Sequence, residues 1–390
     1  MIEIKNKQSC CGCHACFQIC PVDAIKMVPD CEGFLYPIVD NQKCVNCGMC
    51  EKVCPELIIQ NTLPVIKTYA TYRRNFEKRL ESASGGIFAV LAEFVLQNNG
   101  VVFGAAFDDK WNLRHYAVDS IDELHNLKGS KYLQSTIGTT FKEAEKYLKC
   151  GKMVLFSGTP CQIQGLKKYL KVDNFNLITV DLICHGVPSP KVWKQYLKET
   201  SKGRKLEKFK FRDKRMGIKD APLFFDFENG DVIFEKYSES PYIRGFINNL
   251  YLRPSCYKCS FKSSKRCSDF TIGDFWGIEN FLPEFDNKYG VSAVMLRTKK
   301  AIKIFSLIKN ELIIAESSVD QIVIENPCYS SSVIENPKRE YFFKMWRKNG
   351  VIRAVKKLLR PTIMQYLVKK KNQIIAYLWI IKKKILGERR

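Results

Sequence analysis

The sequence predicts a small α+β module at the amino terminus, then an α/β domain with a mixed, largely parallel sheet, and last a basic helical tail. Three observations support this division. Eight cysteines fall into two equally spaced sets before residue 55, strand and helix patterns alternate between 62 and 335, and positive charge is concentrated after residue 337. The predicted domains are 1–61, 62–150, 151–335 and 336–390.

The composition is that of an ordinary globular protein, with 46% hydrophobic and 26% charged residues. The first residues lack the apolar segment of a secretory signal, and no run of eighteen apolar residues is present to cross a bilayer. We therefore expect a cytoplasmic protein. In that compartment, 17 cysteines indicate metal ligation rather than disulfide bonds.

Both cysteine sets have the spacing C-x2-C-x2-C-x3-C followed by Pro, and the second repeats the first 34 residues later. In this pattern three cysteines hold one 4Fe-4S cluster and the fourth holds the other cluster. We therefore predict cluster one on Cys10, Cys13, Cys16 and Cys54, and cluster two on Cys44, Cys47, Cys50 and Cys20. Zinc knuckles would instead combine C-x2-C pairs across a longer gap. Cys11, Cys31 and His14 are not expected to be ligands.

The central part of the chain alternates strands with helices. The pattern predicts buried strands at residues 101–107, 153–158 and 178–184, with helix starts at Ser84 and Ser189 and a hairpin turn at Asn229–Gly230. This alternation predicts parallel strands, whose carboxyl ends are the usual place for ligands. Cys161 and Cys184 follow two of these strands.

A third cysteine group follows in RPSCYKC. Cys256 and Cys259 supply two ligands of a metal site, and a four-ligand site needs two more. The candidates are Cys161 and Cys184, or Cys267. A zinc site and plain core cysteines are the alternatives.

One segment has the features of an anion site. Ser84, Gly85 and Gly86 stand at a predicted helix start, where backbone N–H groups and the helix dipole suit a diphosphate. Gly129, Ser130, Lys131 and Tyr132 form a loop that can add a charge. An ordinary helix cap and turn explain both segments equally well. No G-x-G-x-x-G fingerprint, P-loop or hydrolase triad is present, so no catalytic residue is assigned.

The first 60 residues resemble bacterial ferredoxins with two 4Fe-4S clusters. The motifs SxSGG, GSKYLQS, GTPCQIQGL, DLICHGVPSP, RPSCYKC and TIGDFWG follow in that order. Together they resemble the coenzyme F-420 hydrogenase/dehydrogenase beta-subunit family. The likeness is greatest to its bacterial branch, often associated with surface-polysaccharide gene clusters.

This resemblance implies FAD, held by the two segments just described, with Asp274 and Trp276 as further candidates for its pocket. It also implies a third 4Fe-4S cluster on Cys161, Cys184, Cys256 and Cys259, with Cys267 in reserve. The implied activity is that of an iron–sulfur flavoprotein oxidoreductase. It would pass electrons between a small-molecule hydride donor or acceptor and a redox partner protein or ferredoxin.

Two other functions are compatible with the sequence. One is an electron-transfer subunit that has clusters and no flavin. The other is an interaction protein whose clusters are structural and whose tail docks it on a membrane.

The tail carries most of the charge. Residues 338–390 contain 17 Lys or Arg and two Glu, which account for fifteen of the 23 net positive charges. Apolar residues alternate with these charges at helical spacing, namely Val351, Ile352, Val355, Leu358, Leu359 and the segment 374–381. Such a helix can lie on an anionic membrane, which would place the protein at the inner face of the membrane. A partner protein or a solvated helix explains the same pattern, and we do not expect nucleic acid.

Overall fold

The computed structural model describes residues 1–58, 62–171, 174–263 and 265–360. The strands are β1 Ile25–Pro29, β2 Leu35–Val39, β3 Lys67–Arg73, β4 Val101–Phe107, β5 Leu113–Val118, β6 Val154–Gly158, β7 Leu177–Leu182, β8 Leu206–Lys210, β9 Leu223–Phe227, β10 Val232–Glu235, β11 Phe270–Asp274, β12 Ser292–Leu296 and β13 Leu312–Glu316. The helices are α1 Ala15–Ile19, α2 Met49–Lys52, α3 Phe76–Leu80, α4 Ile87–Gln97, α5 Thr140–Lys149, α6 Pro160–Leu170, α7 Pro190–Ser201, α8 Pro241–Ile247, α9 Lys299–Ile308, α10 Val319–Ile324, α11 Arg339–Asn349 and α12 Val351–Leu358.

The amino-terminal module combines the antiparallel hairpin β1–β2 with the short helices α1 and α2. Its two cysteine loops have the same backbone conformation. Gly12 and His14 have positive φ in the first loop, and Asn46 and Gly48, 34 residues later, have positive φ in the second. Left-handed residues turn a chain sharply, so both loops curl in the same way before a helix begins. The predicted ferredoxin-like dicluster module is confirmed.

The large sheet has the order β13-β3-β12-β11-β7-β6-β4-β5. Its central strands β4, β6, β7 and β11 are parallel, whereas β5, β12 and β13 run the opposite way. Successive side chains of a strand pack on opposite faces of the sheet: Val102 packs with α4 and α9, and Phe103 packs with α5 and α6. The predicted mixed, largely parallel sheet is confirmed.

The two predicted helix starts had different outcomes. Ser189 caps α7 as predicted, because its Oγ accepts a hydrogen bond from the Val192 N–H at 3.2 Å. The prediction for Ser84 is wrong: α4 begins at Ile87, and Gly86 with φ of 100° precedes it. The Ser84 hydroxyl instead donates to the Val291 carbonyl at 3.0 Å, because this segment is held against the sheet before the helix starts.

A second, three-stranded antiparallel sheet, β8–β10, lies beside α7 and α8. Its turn is the predicted Asn229–Gly230 hairpin, with Gly230 at φ of 83°. Trp193 of α7 and Tyr242 of α8 are fully buried in the aromatic core of this region.

Helices α11 and α12 complete the same core. Val351, Val355 and Leu358 are buried, and α12 packs against α7 and α8. The interpretation of these apolar residues as a membrane-facing stripe is therefore wrong, because the aromatic core uses them. Ile352 and Leu359, also part of that stripe, are half-buried against it. The apolar segment 374–381 lies outside the described residues, so membrane contact stays a prediction there. In the described ranges, no helix is long and apolar enough to span a bilayer.

Val355→Asp tests the packing of α12. We expect it to lower the free energy of unfolding by about 3 kcal/mol or more, because it buries an unpaired charge. Urea denaturation measures the change. Arg353→Asp, on the exposed side of the same helix, is the control and should change stability by about 0.5 kcal/mol at most. Equal effects of the two substitutions would contradict the observed burial.

Candidate iron–sulfur centres and flavin contacts

One cavity of the amino-terminal module is lined by the four cysteines predicted for cluster two. These are Cys20, Cys44, Cys47 and Cys50. Backbone N–H groups point at two of the sulfurs: Ala24 N lies 3.2 Å from Cys20 Sγ, and Ile2 N lies 3.4 Å from Cys50 Sγ. Such N–H···S bonds stabilise a thiolate and raise the potential of a cluster. Cys20 thus joins the second set in space, although it belongs to the first set in sequence.

The cysteines predicted for cluster one are also close together. Burial, and then the neighbouring Cys10 and Cys54 thiols, raise the pKa of Cys16. Cys13 interacts electrostatically with Cys16 and Cys54. Thiols that are buried and repel one another do not ionise alone, so they need the positive charge of an iron–sulfur core to become ligands.

A third cavity is lined by Cys161, Cys184, Cys256 and Cys259. Cys161 lies at the start of α6 and Cys184 follows β7, so both stand at carboxyl ends of parallel strands as predicted. Cys256 and Cys259 come from a single turn of 3-10 helix and the residue after it. Across the described ranges, no three His, Cys, Asp or Glu converge as ligands of a single ion would. The four sulfurs instead form the wall of a cavity.

The other cysteines differ in their surroundings. Cys267, the reserve ligand, is buried in the apolar cluster beneath the sheet and is not among the residues that line the third cavity. Cys11 does line that cavity, and hydrogen bonding with Cys11, together with burial, raises the pKa of Cys161. The sequence analysis did not expect Cys11 to be a ligand and did not place it at this cavity. Nothing in the C-x2-C spacing identifies Cys11, because only the folded chain brings it to Cys161.

Two buried cations and one histidine also line the third cavity. The Lys262 ammonium donates to the carbonyls of Cys184 and Cys328, both at 2.7 Å. Arg253 precedes the Cys256 turn and is 1% exposed. His185 contacts Asn249 through Nε2 at 2.7 Å, and burial lowers its pKa. Positive charge at this wall favours the thiolate form of the cysteines.

The first predicted flavin segment, Ser84–Gly86, is buried against β3 and β12. A Cβ on Gly85 would lie 2.3 Å from the Thr71 carbonyl oxygen and 2.7 Å from the Ser292 nitrogen. Gly85 is therefore required for the backbone to approach the sheet so closely. The sequence could not separate this packing role from a phosphate-binding role.

The second predicted segment, residues 129–132, lies nearby. An ion pair of 2.8 Å joins Lys128, just before this loop, to Glu81, just before the Ser84 segment. The Lys131 ammonium donates to three backbone carbonyls at 2.6 to 3.1 Å, and burial lowers its pKa to about 7. The Tyr132 carbonyl accepts from the Tyr242 hydroxyl at 2.7 Å. The two segments are neighbours, but Lys131 is engaged by the backbone.

Basic side chains that the sequence analysis missed lie near the Ser84 segment, and Lys214 contacts it directly. The Lys214 ammonium, like that of Lys131, donates to three backbone carbonyls, those of Ser84, Arg79 (2.9 Å) and Tyr289 (3.1 Å), and burial lowers its pKa to about 7. Arg79 is 4% exposed, and its Nε has no partner among the residues described. Arg212 pairs with Asp274 at 2.7 Å. In sequence, Arg212 and Lys214 resemble ordinary turn residues.

Two of the three predicted sets of four cysteines line cavities of the structure. Comparison with known families bears on the two parts of the chain that carry them. Residues 9–58 match the 4Fe-4S dicluster domain, and residues 151–322 match the family described as the C terminus of the coenzyme F420 hydrogenase/dehydrogenase beta subunit. The chain thus combines a segment that matches the dicluster domain with a segment that matches the F420 hydrogenase/dehydrogenase beta-subunit family, which confirms the resemblance found in its motifs. Family and fold suggest an electron-transfer subunit of the oxidoreductase type.

One similar solved structure is the F420-reducing [NiFe] hydrogenase complex from Methanosarcina barkeri, in a study of xenon derivatization. The matched chain is 16% identical, with a TM-score of 0.46, and the match covers 77% of this chain and 94% of that chain. No curated protein matches.

The assignment of Cys20 to cluster two, together with Cys44, can be tested by measuring the iron content. Cys20→Ala and Cys44→Ala should each remove the same cluster, about four iron atoms per chain, because both residues line one cavity. The double variant should then lose no more iron than either single variant. Cys10→Ala combined with Cys20→Ala should lose about eight iron atoms. Additive loss in the Cys20/Cys44 pair would show that the two cysteines serve different clusters.

Proposed function

We propose that the protein is an iron–sulfur flavoprotein oxidoreductase that passes electrons between a small-molecule hydride donor or acceptor and a one-electron partner protein. The observation that carries this proposal is the third cavity. Cysteines from the α/β domain, far from the dicluster loops in sequence, line it together with Cys11. A cysteine-lined cavity next to a dicluster module extends a series of electron carriers into the domain where a substrate would bind.

The residues proposed to hold the third cluster are Cys161, Cys184, Cys256 and Cys259. Two buried cations of the cavity wall, Arg253 and Lys262, support a bound anionic cluster, and the carboxylate of Glu56 lies on the same wall. When bound, a 4Fe-4S cluster carries one electron at a time. Burial of the ligands and the nearby cations tune its potential.

The neighbourhood of Ser84–Gly86 supports FAD. Arg79 and Lys214 are basic and buried beside this backbone segment, and such side chains can attract a diphosphate. When bound, FAD accepts or donates a hydride and exchanges single electrons with metal centres. The unpartnered Nε of Arg79 is a donor available to such a ligand. The role of this chain's residues is to hold the diphosphate and to exclude water.

The face at the cluster-two cavity is the proposed docking place for the redox partner. Cys47 is exposed, and Val45, two residues before it, is 61% exposed. Val22 is also exposed and lines the same cavity. Apolar side chains around an exposed metal centre allow a partner to approach closely with little desolvation cost. The cluster-one cysteines, in contrast, lie against α6.

Iron content tests the third cluster. Anaerobically reconstituted protein should contain about twelve iron atoms per chain, and replacing Cys256 and Cys259 together by Ser should remove about four. Cys267→Ser is the matched control, because Cys267 is buried nearby without lining the cavity, and it should keep all the iron. Unchanged iron in the double variant would refute the third cluster.

Flavin content tests the FAD site. Protein purified without oxygen should carry about one flavin per chain, and Lys214→Met should lower the occupancy at least about tenfold, because it removes a buried charge beside the Ser84 segment. Lys219→Met, on the exposed surface a few residues away, should leave the flavin in place. Full iron with no flavin in the unaltered protein would favour the electron-transfer subunit without flavin.

A further inference from the structure

The junction between the cluster-one loop and the third cavity contains one buried cation, Arg253. Its Nε donates to the Cys10 carbonyl at 2.7 Å, and its Nη2 lies 3.5 Å from the Cys10 sulfur. The same residue lines the third cavity, and its carbonyl accepts from the Cys256 N–H at 2.9 Å. Arg253 therefore contacts a predicted ligand of cluster one and is built into the loop that carries a predicted ligand of the third cluster.

Arg253 forms no direct ion pair with a carboxylate of the described residues; Glu56, which lines the same cavity, acts on it electrostatically without such a contact. Its other hydrogen bonds go to the Gln134 side-chain carbonyl and the Leu35 carbonyl, both at 2.9 Å, and its guanidinium lies 4.4 Å from the centre of the Tyr36 ring. Among the described residues, no Asp or Glu forms an ion pair with it. A guanidinium that is 1% exposed is costly to bury without an anion. Other buried arginines here, such as Arg73 and Arg339, do have a carboxylate partner.

Cysteine-bound clusters beside Cys10 and Cys256 would supply negative charge in addition to that of Glu56. An oxidised 4Fe-4S core with four thiolates carries about −2, and reduction adds one more negative charge. A guanidinium keeps its positive charge even when it is buried.

The two sites that Arg253 connects are close neighbours. A Cβ on Gly165 of α6 would lie 2.9 Å from the Cys13 sulfur, and α6 begins beside Cys161. Cys11, adjacent to Cys10, interacts with the thiols of both Cys13 and Cys161. The cluster-one loop is therefore packed directly on the wall of the third cavity.

We propose that Arg253 is the electrostatic bridge between the third cluster and cluster one, and that it raises the potential of cluster one. The step that Arg253 would assist is one-electron exchange between the third cluster and cluster one, in which one would be oxidised as the other is reduced, with no bond or proton exchanged. Arg253 would favour the reduced state of cluster one, because its N–H groups and charge lie beside Cys10. It is a positioning residue and does not touch substrate. This inference rests on the proposed function only for the third cluster.

The test is a redox titration of the reconstituted full chain, followed by electron paramagnetic resonance. Arg253→Met should make reduction of one ferredoxin-type cluster at least tenfold less favourable, which corresponds to about 59 mV for a one-electron couple. The other ferredoxin-type cluster should not shift. Arg253→Lys keeps the charge and should show a smaller change. Arg339→Met is the matched control, because Arg339 pairs with Glu32 of the amino-terminal module and contacts no cysteine.

Iron content separates the two proposals. About eight iron atoms in the unaltered protein would refute the third cluster, and a shift of about tenfold at cluster one would still support the Arg253 effect. With full iron, a change below about twofold in Arg253→Met would overturn the bridge. If Arg253→Met loses iron, Gln134→Glu replaces it: a carboxylate next to Arg253 cancels the charge and should also disfavour reduction of cluster one. An unshifted potential in that variant would overturn the bridge equally.

Discussion

A buried thiol is a ligand only when positive charge is placed beside it, and this condition explains how the chain is built. Burial and mutual repulsion raise the pKa of Cys16, Cys54 and Cys256. Without metal these groups stay protonated, so cluster binding must release protons and contribute to folding. The buried cations Arg253 and Lys262 lie at the wall of the third cavity, beside buried thiols that would have to lose their protons to bind a cluster. Both lie beside cysteines predicted as cluster ligands, and the carboxylate of Glu56 lines the same cavity.

The amino-terminal module is attached to the body by bonds that do not involve cysteine. The Gln18 side-chain oxygen accepts from the backbone N–H groups of Phe141 and Lys142, at 2.9 and 3.1 Å, and so caps the first turn of α5. Glu32 pairs with Arg339 of α11, and its carbonyl accepts from the Ser189 hydroxyl. These contacts orient the cluster-one loop toward α6. The second loop, with Cys47 and Val45, remains open to a partner.

The assignment of the basic side chains shows where local patterns mislead. Lys131 lies in a glycine-bounded loop that is typical of phosphate contacts, yet its ammonium closes a turn through three carbonyls. Lys214, in an unremarkable basic stretch, is the lysine that reaches the Ser84 segment. In the tail, Val351 and Val355 have the spacing of an interfacial helix, but the aromatic core beside α7 and α8 is incomplete without them. In each case the deciding contact comes from a distant part of the chain.

The sequence by itself predicted the dicluster module, because the ligands of one cluster come mostly from one short loop, so their spacing is fixed locally. The same loop recurs 34 residues later. Strand alternation likewise determined the parallel core and put Cys161 and Cys184 at strand ends. The motif resemblance named Cys161, Cys184, Cys256 and Cys259 together. Only the tertiary structure placed Cys11 in the same cavity, left Cys267 out of its lining and set Arg253 against Cys10 across 243 residues of sequence. The physical reason is that these contacts depend on how the module docks on the sheet, and docking leaves no periodic signal in a single chain.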